Sequence, residues 1–185
     1  MPYLKRLLRH LVPLVAVITL IYGVLYIVAQ QNLRIGANDP QVQMAQDAAY
    51  SLQVGHVISS VLPSPSVDIS RSLAAYLVVY DESGKPLAGS GYLQGQLPAL
   101  PTGVFDFTRL HGEDRLTWQP ESGVRSALVV VHYAGPKSGF VMAGRSLREV
   151  ENREDQLLLQ VGAGWLGTIV LTGLVVVVAG LLLPS

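Results

Sequence analysis

The sequence predicts an α+β domain, a single antiparallel sheet of about five strands with a long N-terminal helix, set between two transmembrane helices. Three observations lead there. Leu11–Ala29 and Val161–Leu183 are apolar stretches without one Asp, Glu, Lys or Arg, and each meets the ~20 residues of helix that a hydrocarbon core about 30 Å thick demands. Between them, five short runs rich in β-branched and aromatic residues alternate with turn-forming Gly, Pro, Ser and Asp. A helical spacing of apolar residues precedes those runs, and a helix-capping signature follows them.

The expected organisation is a cytoplasmic N-terminus over 1–10, a transmembrane helix over 11–30 and an extracytoplasmic domain over 31–145. A connecting helix over 146–160, a second transmembrane helix over 161–183 and a cytoplasmic end at 184–185 complete it. Orientation rests on Lys5, Arg6, Arg9 and His10 before the first span, against Arg34 alone between that span and Asp39, because positive charge stays in the cytoplasm. The first span can also be read as a cleaved secretory signal, with Ile27-Val28-Ala29 as an acceptable cleavage tripeptide. Its apolar run exceeds the roughly 7–15 residues of a typical signal, and Pro13 sits near the start, where a helix tolerates it. An uncleaved anchor is therefore expected.

The hydrophobic content of 50% and mean hydropathy of +0.39 are explained by the two spans, leaving an ordinary middle domain. All 13 acidic residues lie in that middle segment with 10 of the 13 basic ones, a balance that argues against a nucleic-acid partner. There is no cysteine, which excludes disulfides, Cys-based zinc sites and a thiol nucleophile, so stability must come from packing. Asn32, Asn38 and Asn152 all lack the hydroxyl two positions on that a glycosylation sequon needs.

Each element has its own signal. Asn38-Asp39-Pro40 opens a helix expected to run to about Leu62, with Ala45, Ala48, Ala49, Leu52 and His56 at three- and four-residue steps. Gly36 is the expected bend between the span and this helix, and Pro63-Ser64-Pro65-Ser66 ends it. Ala75–Tyr80 and Leu87–Leu93 flank the turn Asp81-Glu82-Ser83-Gly84-Lys85-Pro86 as a hairpin. After a Pro-rich connection, Val104–Leu110 reads as a short helix or a buried extended segment, with helix preferred. Asp114–Gln119, Arg125–Tyr133 and Phe140–Arg145 complete the strands, and the continuously apolar Ala127–Val131 should be central, covered by a helix on at least one face. Ser146-Leu147-Arg148-Glu149 is a capping box opening a helix that meets no breaker before the second span.

This order of span, capped helix, hairpin Tyr76–Leu87, closing strands and the junction Gly139-Phe140-Val141-Met142-Ala143-Gly144-Arg145-Ser146-Leu147-Arg148-Glu149-Val150-Glu151 resembles the N-terminal sensing half of bacterial two-component histidine kinases. The resemblance implies a PAS-like or Cache-like extracytoplasmic domain. It stops short of the transmitter: the sequence contains no HAMP linker, phosphoacceptor-histidine helix or ATP-binding glycine boxes, so autokinase activity is not expected. Such folds hold ligands between the sheet and the segment crossing its face, here Tyr92 to Leu110. Tyr92, Asp106, Arg109, Trp118, His132 and Tyr133 are on that ground the candidate ligand-binding residues, with aromatic walls and one guanidinium suiting a small carboxylate or amino-acid-like ligand. Read for structure alone, Trp118 and Tyr133 are core or sheet-surface residues, and Arg109 pairs with Asp106 or Glu113 at the surface.

The four histidines show no metal-ligand spacing, no serine sits in a nucleophile elbow, and Ser146 already has a use as a cap. No cofactor, metal or catalytic residue is expected. Ala163 with Gly167, Gly164 with Thr168 and Thr172, and Thr19 with Gly23 form small-residue stripes that suit packing of the two spans within one chain, homodimerisation, or docking onto another membrane protein. The function expected is a membrane-anchored sensor or regulatory domain that binds a small ligand or partner and couples to the second span. The alternatives are a non-sensing membrane scaffold or interaction protein, and a split or truncated sensor kinase.

Overall fold

A computed structural model of the chain describes residues 2–36 and 39–182. It divides into two units, one made of residues 1–34 with 151–185, the other of residues 35–150. Asn38, the expected cap, and the last three residues lie outside the described part.

The first unit is built from two long helices. Helix α1 spans Pro2–Gly36 and helix α5 spans Arg148–Leu182, and both are long and apolar enough to cross a membrane. Pro13 sits inside α1. The two helices pair through polar side chains. The Tyr22 hydroxyl lies 2.8 Å from Thr168 Oγ1. Thr168 gives its own proton to the Gly164 carbonyl at 2.8 Å, so Tyr22 is the donor. Thr19 likewise donates to the Val15 carbonyl and accepts the Trp165 indole N–H at 3.0 Å. Each helix thus donates once and accepts once, an arrangement suited to a solvent that offers no other partner. Gly164 lets the Tyr22 ring close in, since a Cβ there would lie 3.1 Å from Tyr22 Cε1, whereas Gly23 and Gly167 face open space. Of the small-residue stripes, the one carrying Gly164 and Thr168 meets the other long helix of the same chain, as does Thr19 of the stripe on α1.

The second unit is α+β. Helix α2 spans Asp39–Gln53 and helix α3 spans Ile58–Val61. The strands are β1 (Val67–Asp68), β2 (Tyr76–Asp81), β3 (Pro86–Gly89), β4 (Gly91–Tyr92), β5 (Glu113–Glu121), β6 (Val124–Tyr133) and β7 (Gly139–Ser146), with helix α4 (Thr102–His111) between β4 and β5. Five of them form an antiparallel sheet in the order β3-β2-β7-β6-β5. Strand β6 is interior, as its apolar run implied, but the middle strand is β7. The helix expected from Asn38 to Leu62 is interrupted by Gly55, whose φ of +95° is left-handed and ends the helical path. The second hairpin arm is also shorter than expected. It breaks at Ser90, and Gly91-Tyr92 pairs instead in parallel with Val67-Asp68.

Both faces of the sheet are covered, which is why β2, β6 and β7 read as nearly continuous apolar runs. On one face Leu77, Val79, Tyr133 and Val141 pack against Ala48, Ala49 and Leu52 of α2, with Ala45 against Val129 and Ala143. Alanine at these helix positions lets the backbone approach the sheet closely. On the other face Tyr76, Val78, Tyr80, Leu128, Val130, Phe140 and Met142 meet Ile69, Leu100 and Phe105. Phe105 of α4 lies between Tyr80 and Phe140, with ring centroids 5.1 and 5.0 Å away. The buried Tyr80 hydroxyl donates to the Pro98 carbonyl at 2.8 Å, fixing the Pro-rich connection across that face.

The start of α5 belongs to this unit. Ser146 Oγ accepts the Arg148 backbone N–H at 3.3 Å, the Leu147 N–H donates to the Arg125 carbonyl, and Arg148 Nη2 donates to the Ser70 carbonyl at 2.6 Å. Glu149 accepts Arg145 Nη2 at 3.1 Å.

Candidate functional site

The turn between β2 and β3 supplies the central group. Asp81 Oδ1 accepts the backbone N–H of Ser83 and of Lys85 and the Ser83 hydroxyl, at 2.6–2.9 Å. Those hydrogen bonds, the Ser83 hydroxyl foremost, hold the Asp81 carboxyl below the ordinary carboxylate range. Gly84 closes the turn at φ +82°, and a Cβ there would come within 2.6 Å of Phe105 Cδ2. This geometry presents Glu82 to two elements at once. Its Oε1 accepts Arg109 Nε of α4 at 3.0 Å and its Oε2 lies 3.2 Å from His132 Nε2 of β6, while its carbonyl accepts Arg109 Nη2 at 2.9 Å. Burial pushes the Glu82 carboxyl up, but hydrogen bonds from Arg109, His132 and Ser138 outweigh it, and the group ends below its ordinary value.

Arg109 also donates to Asp106 Oδ1 at 3.0 Å, and its guanidinium lies 5.3 Å from the Phe140 ring centroid. The structure therefore brings together three of the expected residues, Asp106, Arg109 and His132, around a fourth, Glu82, that the sequence reading treated only as part of a turn. Glu113, the other surface partner considered for Arg109, takes Gln46 and Arg115 instead. Trp118 packs at the margin of the core, and Tyr92 lies on the short parallel pair with β1. Tyr133 belongs elsewhere again.

Tyr133 lines a cleft of about 890 Å³ at the end of the sheet where β2 ends and β7 begins, on the side covered by α2. Leu52, Gly55, His56, Val57 and Ile58 form one wall. The Asp81–Ser83 turn with Leu87 forms the second, and the β6–β7 turn Pro136-Lys137-Ser138 the third. The volume is of the size that small ligands occupy, and apolar walls with a few polar groups are the usual lining. Glu82 borders the cleft while binding Arg109 and His132, so the cleft shares a residue with the charged cluster. The lining comes from three connections far apart in sequence, and no periodicity or motif joins them. A usable signal was the glycine-closed turn at 81–85, which forces one acidic side chain out toward the sheet end. Among the described residues no group of three His, Cys, Asp or Glu is placed to hold a metal ion. No protein-family model matches this chain, and no curated protein matches it.

Proposed function

We propose that the chain is a membrane-anchored extracytoplasmic sensor or regulatory protein, whose cleft binds a small ligand and whose flanking helices carry the response into the bilayer. One observation carries the reading. Two elements have one end in the cleft and the other end leading toward an apolar helix. Helix α2 brings Leu52 to the cleft and begins at Asp39, shortly after α1 ends at Gly36. Strand β7 starts next to the cleft residues Lys137 and Ser138 and ends at Ser146, where α5 takes over. At about 3.3 Å per residue β7 reaches ~26 Å across the sheet. A ligand touching all three walls would bias both elements, and the response would follow from its different affinity for the two arrangements. The domain on the outer side and both termini in the cytoplasm complete the proposal, supported by the basic residues ahead of the first span. The likeness to a sensor-kinase input half agrees with it.

The test is a thermal-unfolding screen of the full chain in nanodiscs against amino acids, organic acids, short fatty carboxylates and divalent metals. A saturable rise in melting temperature is expected for one class, equivalent to about 2.7 kcal/mol at a hundredfold excess over Kd. A folded chain that responds to none of them overturns ligand sensing in favour of a protein-docking role.

A further inference from the structure

The polar groups around the cleft divide into those already engaged and those that are not. On the acidic side, Asp81 Oδ1 takes three donors and both Glu82 oxygens are held by Arg109 and His132. Two of the remaining groups are donors, Lys137 and Tyr133. Lys137 stands exposed on the β6–β7 turn, and among the described residues it has no ionic or hydrogen-bonding partner. Tyr133 is 4% exposed, yet its hydroxyl has no hydrogen-bond partner among the described residues. The buried polar atoms without a partner among the described residues are Gln41 Oε1, Tyr76 Oη and Ser126 Oγ, so the Tyr133 hydroxyl reaches solvent from an otherwise buried ring that lines the cleft, and a ligand there can accept its hydrogen bond. Burial, with the nearby Glu82 charge, pushes the Tyr133 phenol up, so that it is a proton donor throughout the physiological range. Facing these donors are Leu52, Val57, Ile58, Leu87 and Pro136, with Val57 67% and Leu87 48% exposed. Apolar surface of this extent around unfilled donors is complementary to a molecule with an apolar body and an anionic head.

We infer that the cleft binds an amphiphilic monocarboxylate, its hydrocarbon part against Leu52, Val57, Ile58 and Leu87 and its carboxylate received by the Lys137 ammonium and the Tyr133 hydroxyl. The inference rests on the cleft being the ligand site proposed above. The two recognition elements have separate roles. The apolar walls retain any ligand of the right size, because burial of hydrocarbon is non-directional. Lys137 and Tyr133 choose the sign of the head group, since a carboxylate accepting two hydrogen bonds, one charge-assisted, is favoured over a head that can only donate.

The experiment uses the full ¹⁵N-labelled chain in nanodiscs, titrated with octanoate and, separately, with octylammonium, and empty nanodiscs correct for partitioning. Amide resonances of residues 55–58 and 137–138 are followed. Octanoate is expected to shift them saturably and octylammonium not to. Lys137→Glu, on an exposed turn, should weaken octanoate about tenfold or more, and Tyr133→Phe should weaken it less while leaving the ring in place. If octylammonium binds as well as octanoate, or Lys137→Glu leaves octanoate unaffected in a chain with an otherwise native spectrum, the carboxylate assignment is overturned and the cleft stands as a ligand site. If neither probe shifts the cleft amides of the natively folded chain, the cleft fails as a site for such ligands, and the inference fails with it.

Discussion

Glu82 shows what a single side chain can do when a turn holds it in place. Its folded-state acidity is increased, so its stabilising contribution is present above the ordinary carboxylate value of about 4.3 and is lost as pH falls through the lower folded value. Full-chain melting temperatures should accordingly drop between pH 5 and pH 3, and Glu82→Gln should flatten that dependence while lowering stability at pH 7. An unchanged acid slope in the variant would mean that Asp68, Asp81 and Glu113, whose acidity is also increased in the fold, carry the effect. Gly84 is the complementary case. Gly84→Ala forces an L side chain into φ +82° and against the Phe105 ring, so a loss above ~1 kcal/mol is expected in denaturant unfolding. The sequence named Asp106, Arg109 and His132, which meet in the charged cluster on Glu82 because a helix and a strand lie over one sheet face, but of the six residues expected to bind a ligand only Tyr133 lines the cleft. Glu82 and Lys137 were not legible, because an acid or a lysine in a turn looks the same in sequence whether it is solvated or placed.

Among the elements, α4 and the paired spans carry the clearest expectations. Phe105 is 3% exposed between two aromatic rings, and Phe105→Ala should cost about 3–5 kcal/mol and loosen Arg109 with it. In the unit of the two long apolar helices, a double-mutant cycle on Tyr22→Phe and Thr168→Val, read by detergent-induced unfolding, should return a coupling of about 0.6 kcal/mol and no more than ~1.7 if the pair lies in a bilayer. Zero coupling would show that the hydrogen bond has no net effect in the bilayer. The five strands of the large sheet were readable because both of its faces are buried and its turns are rich in Gly, Pro and Asp. The two-residue pairing of β1 with β4 was not, since it depends on backbone groups 24 positions apart and leaves no pattern in the side chains. Gly55 was visible as a residue, but only its left-handed backbone shows that it divides a helix.

For the whole molecule, the continuity of α5 from Arg148 to Leu182 is open to direct test. Inserting two residues after Arg153 should turn everything beyond it by about 200° about the helix axis, and on the sensor role proposed above this changes output in a reporter strain while the ligand-dependent melting that role requires stays as it was. Unaltered output would remove α5 as the carrier of the response. The strand order has another implication. Strand β7 is last in the sequence and middle in the sheet, between β2 and β6. Until it arrives, the nascent chain holds two separate ribbons, β2 with β3 and β5 with β6, each with an open edge. The sheet closes only when the strand joined to the second apolar helix slots between them, a non-local step that is intrinsically slow. A chain that has not yet made β7 therefore has no finished sheet, and completion of the domain is tied to the strand that leads directly into α5.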